Sequence, residues 1–329
     1  MGDLEPDDVS RAAPHVEAAA SFGHAVGTRV AMQDCTPMTT ANNYGFNRIG
    51  VVGGGLMGSG IAEVCARAGL DTIVVEANDE AALRAERRLQ TSLERGLAAG
   101  KLDEASFAKA MGSLTFVADF DSLVDRDLVI EAVVENEAAK LDVFRKLDAV
   151  VTNDEAVLAS NTSSIPIMKL AMATQRPANV IGIHFFNPVP VLKLVELVTS
   201  LLTSDETKER AKGFSTDVLH KRVINSQDRA GFVVNALLIP YLLSSIRMME
   251  SGFATAEDID AGMVEGCAHP MGPLRLTDLI GLDTTMAVAE SLYAEFKEQL
   301  YAPPPLLCRM VEAGLLGRKS GRGFYIYAK

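Results

Sequence analysis

The rhythm of apolar and polar positions changes twice along the chain. Up to residue 46 there is no convincing apolar period and no strand signal, only Ala-, Thr- and Asn-rich sequence, which predicts a flexible leader over 1–46. A second methionine opening, Met38-Thr39-Thr40, stands shortly before the first strand signal, so the upstream stretch reads as an extension without a chemical role. From Asn47 short β-branched runs alternate with helical periods, the pattern of parallel strands joined by crossover helices. Strands are expected at 48–52, 72–76, 114–117, 128–133, 156–160 and 180–185, with helices at 58–68, 80–99 and 138–151 between them. An alternating strand follows at 193–198, then a polar helix at 204–220 and a short apolar run at 222–224.

After Asp228 the β-branched runs give way to helical periods at 232–251, 256–266, 284–298 and 306–313. The fold class expected is α/β: a doubly wound, mostly parallel sheet over 47–227 and an all-helical C-terminal domain over 228–329. Pro303-Pro304-Pro305 reads as a rigid turn before the last helix.

Charge narrows the partners. Asp and Glu outnumber Lys and Arg by 43 to 31, a formal net charge of −12. Such a surface repels phosphate backbones and anionic lipid, so neither nucleic acid nor membrane is expected, and an anionic ligand must find a local basic patch. A hydrophobic content of 48% supports a sizeable core and excludes disordered and fibrous classes. Cys35, Cys65, Cys267 and Cys308 contain no Cys-x-x-Cys pair, which argues against a zinc site or a disulfide framework, and no metal is expected. The acidic opening at Asp3, Glu5, Asp7 and Asp8 is unlike a secretory signal, and the apolar run 230–246 is short and broken by Asn235 and Pro240. A cytoplasmic location is therefore expected.

The first strand runs into Gly53-Gly54-Gly55-Leu56-Met57-Gly58, which opens a helix, so the glycine pattern G-x-G-x-x-G stands in the context that gives it meaning. Gly53 permits the tight turn, Gly55 lets the backbone approach a pyrophosphate, and Gly58 allows close helix–strand packing. The amides of this turn, including those of Leu56 and Met57, can then hold phosphates without a basic side chain. Glu76 ends the next strand, where a carboxylate accepts hydrogen bonds from a ribose diol and repels a 2′-phosphate. NAD is the cofactor expected; a glycine turn that binds nothing is the alternative.

Of five histidines, only His184 ends a buried strand, in His184-Phe185-Phe186-Asn187-Pro188. A hairpin centred on Pro190 sets His184 across from Glu196, a lone carboxylate in an apolar strand. A carboxylate there fixes the imidazole tautomer and stabilises the imidazolium, as a general acid/base requires. A purely structural pair would look the same, but the neighbouring dinucleotide motif favours chemistry. Ser160-Asn161-Thr162-Ser163-Ser164 follows another strand end and either holds a substrate oxygen or caps a helix. Asn235, in an apolar helix, needs a partner for its amide.

Arg84, Arg88, Ser92 and Arg95 share one helix face, with Lys101 just beyond; the stripe receives phosphates or is a solvated face. Gly317-Arg318-Lys319-Ser320-Gly321-Arg322-Gly323 is a glycine-hinged basic loop able to close over an anion or to serve as a solubilising tail.

In their order, these motifs, with Gly231-Phe232-Val233-Val234-Asn235 and Gly321-Arg322-Gly323-Phe324-Tyr325, resemble the L-3-hydroxyacyl-CoA dehydrogenases, most of all the stand-alone bacterial 3-hydroxybutyryl-CoA dehydrogenases. The likeness covers about residues 47 to 328 and implies a Rossmann-type sheet, NAD, an acyl-CoA substrate and a homodimer formed through the helical segment. By that resemblance His184 takes the 3-hydroxyl proton, Glu196 orients it, and Ser163 and Asn235 contact substrate and catalytic groups. The resemblance also assigns Glu135, Lys140, Asn187 and Lys319 to cofactor contacts, Glu76 to the adenosine ribose, and Ser92 to coenzyme A. The family's lysine near the end of this helix falls on Ala99, with Lys101 two residues on. The rival readings are a dehydrogenase of free 3-hydroxy acids or sugar acids, and a non-catalytic NAD-binding homologue.

Overall fold

The computed structural model describes residues 44–327; most of the expected leader, with Cys35 and Met38, lies outside the described residues. Strand β1 (Arg48–Val52) leads to α1 (Leu56–Arg67), β2 (Asp71–Val75), α2 (Asp79–Ala98), α3 (Glu104–Gly112), β3 (Leu114–Val117) and β4 (Leu128–Glu131). There follow α4 (Glu137–Val150), β5 (Val157–Ser160), α5 (Ile167–Ala171), β6 (Val180–Phe185), β7 (Leu194–Thr199), α6 (Asp205–Gly213) and β8 (Arg222–Gln227). The remainder is helical: α7 (Val234–Glu250), α8 (Ala256–Cys267), α9 (Pro273–Ile280), α10 (Leu282–Phe296) and α11 (Pro305–Glu312).

The sheet runs in the order β3-β2-β1-β4-β5-β6-β7-β8. Every pair is parallel except β6 with β7, so the expected mostly parallel, doubly wound α/β fold is present. Strand side chains alternate between two apolar layers: Leu128 and Ile130 of β4 join Ile61 and Leu89 on one face, while Val129 joins Phe144 and Leu158 on the other. Phe232, just ahead of α7, packs into the second layer, and α7 to α11 close around a third core that includes Leu243, Leu274, Leu282 and Leu307. No helix among the described residues is long and apolar enough to cross a membrane.

Several expected boundaries move, for local reasons. Glu76 lies one residue beyond β2, β4 stops at Glu131 rather than 133, and α7 starts at Val234 because Phe232 takes φ +49. The polar helix at 204–220 splits at Gly213, continuing as a π-turn over Phe214–Val218. Helices α3, α5 and α9 have no counterpart in the apolar pattern. α5 is only 5 residues long and is held by Asp228, whose carboxylate accepts from the amides of Ile167 and Met168 at 2.7 Å each. Phe46, the last residue of the expected leader, is fully buried, edge-on to Phe214 and under the Arg210 guanidinium.

Candidate active site

The turn after β1 has the shape its glycines predict. Gly53 takes φ +93, and a Cβ there would stand 2.8 Å from the Ala132 carbonyl oxygen. At Gly58 a Cβ would meet the Gly53 oxygen at 1.7 Å, so α1 can approach β1 this closely only without a side chain. Gly55 differs from both: nothing stands within 4 Å of its Cβ position, and its backbone faces open space. It is the N-cap of α1 and supplies no capping side chain, leaving the amides of Leu56, Met57 and Gly58 without an acceptor inside the helix. Beside this turn, Glu76 Oε1 accepts from the Gly54 N–H at 2.7 Å. An open glycine cradle, an uncapped helix N-terminus and a carboxylate after β2 fit a dinucleotide with a free ribose diol.

His184 and Glu196 are paired in the antiparallel register of β6 and β7, six residues either side of Pro190. The Nδ1 and Oε2 atoms are 2.7 Å apart, and Glu196 is completely buried. With an ionised carboxylate as acceptor, the proton sits on Nδ1 and Nε2 keeps its lone pair. The rings of Phe186 and Phe232 flank the imidazole at 4.6 and 5.5 Å. The other carboxylate oxygen of Glu196 accepts from the amides of Val233 and Val234, at 3.1 and 2.9 Å. Glu196 therefore caps α7 as well as holding His184, and the sequence pattern did not disclose this second bond. Asn235, half-buried, lies one residue further into the same helix turn.

The serine-rich loop after β5 wraps one carboxylate. Glu135 Oε1 accepts from the hydroxyls of Thr162 and Ser164 at 2.6 and 2.8 Å, and from the amides of Ser163 and Ser164 at 3.0 and 3.1 Å. Partial burial pushes the Glu135 carboxyl up, but Lys140 and these donors outweigh it and hold it below its ordinary value. Lys140 is 1% exposed and lies beneath the loop, 2.6 Å from Glu131 and 3.3 Å from Glu135. In this position it is a buried counter-ion to both carboxylates. Glu131, fully buried, also accepts from the Ser160 hydroxyl at 2.7 Å. Its signal in the sequence is a lone acid interrupting the apolar run Leu128-Val129-Ile130-Glu131-Ala132-Val133-Val134, which pointed to no role.

The basic stripe of α2 lines a cleft of about 700 Å³, with Arg84, Arg88, Ser92 and Arg95 on one wall and Asn187 and Pro190 on the other. The turn that carries Asn187 is fastened from below by Lys221, whose Nζ donates to the carbonyls of Val189 and Leu192 at 2.5 and 2.8 Å. Burial, with Arg67 nearby, pulls the Lys221 ammonium below its ordinary value. Lys101 is exposed beyond the end of α2 and does not line the cleft, and Lys319 is ion-paired with Asp283 of α10 at 2.6 Å.

Residues 48–229 match the 3-hydroxyacyl-CoA dehydrogenase NAD-binding domain, and residues 231–327 match the C-terminal domain of the same family. The chain is 59% identical to a 3-hydroxybutyryl-CoA dehydrogenase of Mycobacterium tuberculosis, over 86% of this chain and 99% of that one. It is 38% identical to the mitochondrial hydroxyacyl-coenzyme A dehydrogenase of Sus scrofa, over 89% and 95% respectively. The crystal structure of an (S)-3-hydroxybutyryl-CoA dehydrogenase from Ralstonia eutropha superposes with a TM-score of 0.82 at 44% identity, covering 86% of this chain and all of that one.

Proposed function

Because the chain belongs to the 3-hydroxyacyl-CoA dehydrogenase family and is an NAD-dependent oxidoreductase of that kind, we propose that it interconverts short-chain (S)-3-hydroxyacyl-CoA and 3-oxoacyl-CoA thioesters, 3-hydroxybutyryl-CoA among them. The observation that carries the chemistry is the 2.7 Å His184–Glu196 pair, in the strand whose following turn shares a cleft with the start of α1. Bound NAD supplies the acceptor for the hydride that leaves C3. His184 Nε2 takes the 3-hydroxyl proton as that bond to oxygen becomes a carbonyl, and returns it in the reverse direction. Glu196 keeps Nδ1 protonated, so only Nε2 faces the reaction, and it balances the imidazolium charge.

The remaining assignments follow the site. Gly53, Gly55 and Gly58, with the amides of Leu56 and Met57, hold the pyrophosphate, and Glu76 holds the adenosine ribose. Ser163 and Asn235 take the acyl end of the substrate. Glu135 and Asn187 border the cofactor, with Lys140 acting through Glu135. Ser92, with Arg84, Arg95 and Lys101, takes the coenzyme A moiety, and Lys319 reaches the cofactor. The reading treats 47–227 as the cofactor domain and 228–329 as a helical domain that also forms a homodimer, burying exposed apolar side chains such as Leu237 and Phe253. The free thiols of Cys65, Cys267 and Cys308 suit a reducing cytoplasm.

The test is His184→Ala, followed by NADH fluorescence and by turnover of acetoacetyl-CoA. We expect NADH affinity to stay within about twofold and turnover to fall by at least about a hundredfold, the loss typical of a removed general acid/base. Turnover within tenfold of the wild type would exclude His184 from the proton transfer.

A further inference from the structure

The peptide of Gly54 is gripped on both sides. Its N–H donates to Glu76 Oε1 at 2.7 Å, and its carbonyl oxygen accepts from the Ser59 hydroxyl at 2.7 Å and from Arg88 Nη1 at 2.5 Å. Arg88 reaches this carbonyl from α2, and the approach requires glycine: a Cβ on Gly54 would stand 2.4 Å from the Ala85 Cβ. The same Arg88 side chain lines the basic cleft beside Arg84, Ser92 and Arg95. A guanidinium has five N–H donors in a rigid plane, and the Gly54 carbonyl engages Nη1 alone.

We propose that Arg88 is a positioning residue that couples the two ends of the active-site cleft. One edge of its guanidinium holds Gly54 and thereby sets the aim of the loop amides at Gly55, Leu56 and Met57. The other edge faces the cleft and binds an anionic group of the substrate. An anion there fixes the guanidinium plane, which removes freedom from the glycine loop before the dinucleotide arrives. Coenzyme A and NADH therefore bind cooperatively, each raising the affinity of the other by the same factor. The proposal rests on the acyl-CoA reading above, because it takes the anion in this cleft to be coenzyme A.

The probes are NADH, followed by fluorescence, and free coenzyme A, followed by titration calorimetry, on the full chain. In the wild type, saturating coenzyme A should tighten NADH about fivefold, the lower end of ordinary coupling between sites. Arg88→Met should weaken NADH about tenfold without coenzyme A, the scale of a lost charge-assisted hydrogen bond, and should bring the coupling ratio to one. Arg88→Lys keeps the charge but not the fork; it should recover most of the NADH affinity and none of the coupling. Arg95→Met lines the cleft without touching the loop, so it should weaken coenzyme A and leave NADH alone unchanged, which separates a local effect from general damage. NADH affinity unchanged in Arg88→Met, or a coupling ratio equal to that of the wild type, would overturn the proposal. A wild-type ratio of one with coenzyme A bound would overturn it as well. If the wild type binds NADH but no coenzyme A, the acyl-CoA reading itself fails, and calorimetry tells that case apart.

Discussion

His184 and Glu196 lie inside the sheet, 6% and 0% exposed, whereas Arg84, Arg88 and Arg95 stand in solvent on the outer face of α2. The pair is placed by a strand register and by hydrogen bonds at both carboxylate oxygens. Its geometry is set before any substrate arrives, so little ordering remains when it acts. Of the arginines, Arg88 is tied to the Gly54 carbonyl and Arg84 to Glu80 one turn away, while the stripe as a whole is set by helical spacing on an exposed face. Such a surface attracts an anion and orients it weakly, and salt screens it. If, as proposed, the buried residues carry the chemistry and the exposed ones the handle, substitutions in the two places should act on different kinetic constants.

After the loss expected of His184→Ala, the largest effect should come from Glu196→Gln. The neutral amide cannot balance an imidazolium, and it accepts more weakly from the two α7 amides. We expect kcat to fall at least about tenfold, with the KM for the thioester nearly unchanged, as measured in steady-state assays. An unchanged kcat would place Glu196 outside the reaction and leave it only as a helix cap.

Next comes Glu135, whose bonds order the serine loop between the two regions. Its carboxyl is more acidic in the fold than the ordinary 4.5, so ionisation stabilises the folded state above that pH. This stabilisation falls away as the pH drops through the lower folded value. Glu135→Gln should therefore lose about 1.5 kcal/mol at neutral pH, the lower end of the scale for a hydrogen bond to a charged group. Denaturant titrations should show the gap to the wild type closing on acidification; a gap that widens would contradict the assignment.

The smallest effect should come from the stripe. Arg95→Met should raise the KM for acyl-CoA about threefold at low ionic strength, with kcat unchanged, and the difference should shrink as salt is added. A fall in kcat instead would mean that the handle and the chemistry are not separable in the way the two environments imply.

Much of this site was legible in the sequence because it depends on local rules. The β-branched runs marked the strands, the glycine spacing marked the turn, and counting outward from Pro190 set His184 opposite Glu196. What stayed hidden depends on segments far apart in the chain. The amides at the start of α7 that Glu196 caps lie 37 and 38 residues away, and Asp228 holds α5 from about 60 residues away. Lys140 carried only the cofactor contact that the resemblance implies, and the packing of α4 on β4 is what brings it against Glu131. The stripe on α2 was visible as a face, but its meaning depended on the turn at Asn187 and Pro190 closing the other side of the cleft. Periodicity reports which side of an element is apolar and says little about what another element brings to it.

The most direct test of the account is the rate of NADH oxidation by the wild-type protein with acetoacetyl-CoA, beside free acetoacetate and beside NADPH as the alternative reductant. Fast turnover with NADH and the thioester alone is the result expected. Comparable kcat/KM on the free acid would contradict the acyl-CoA assignment and move the function to a hydroxy-acid dehydrogenase, and NADH binding without turnover of either ketone would make the protein a non-catalytic homologue.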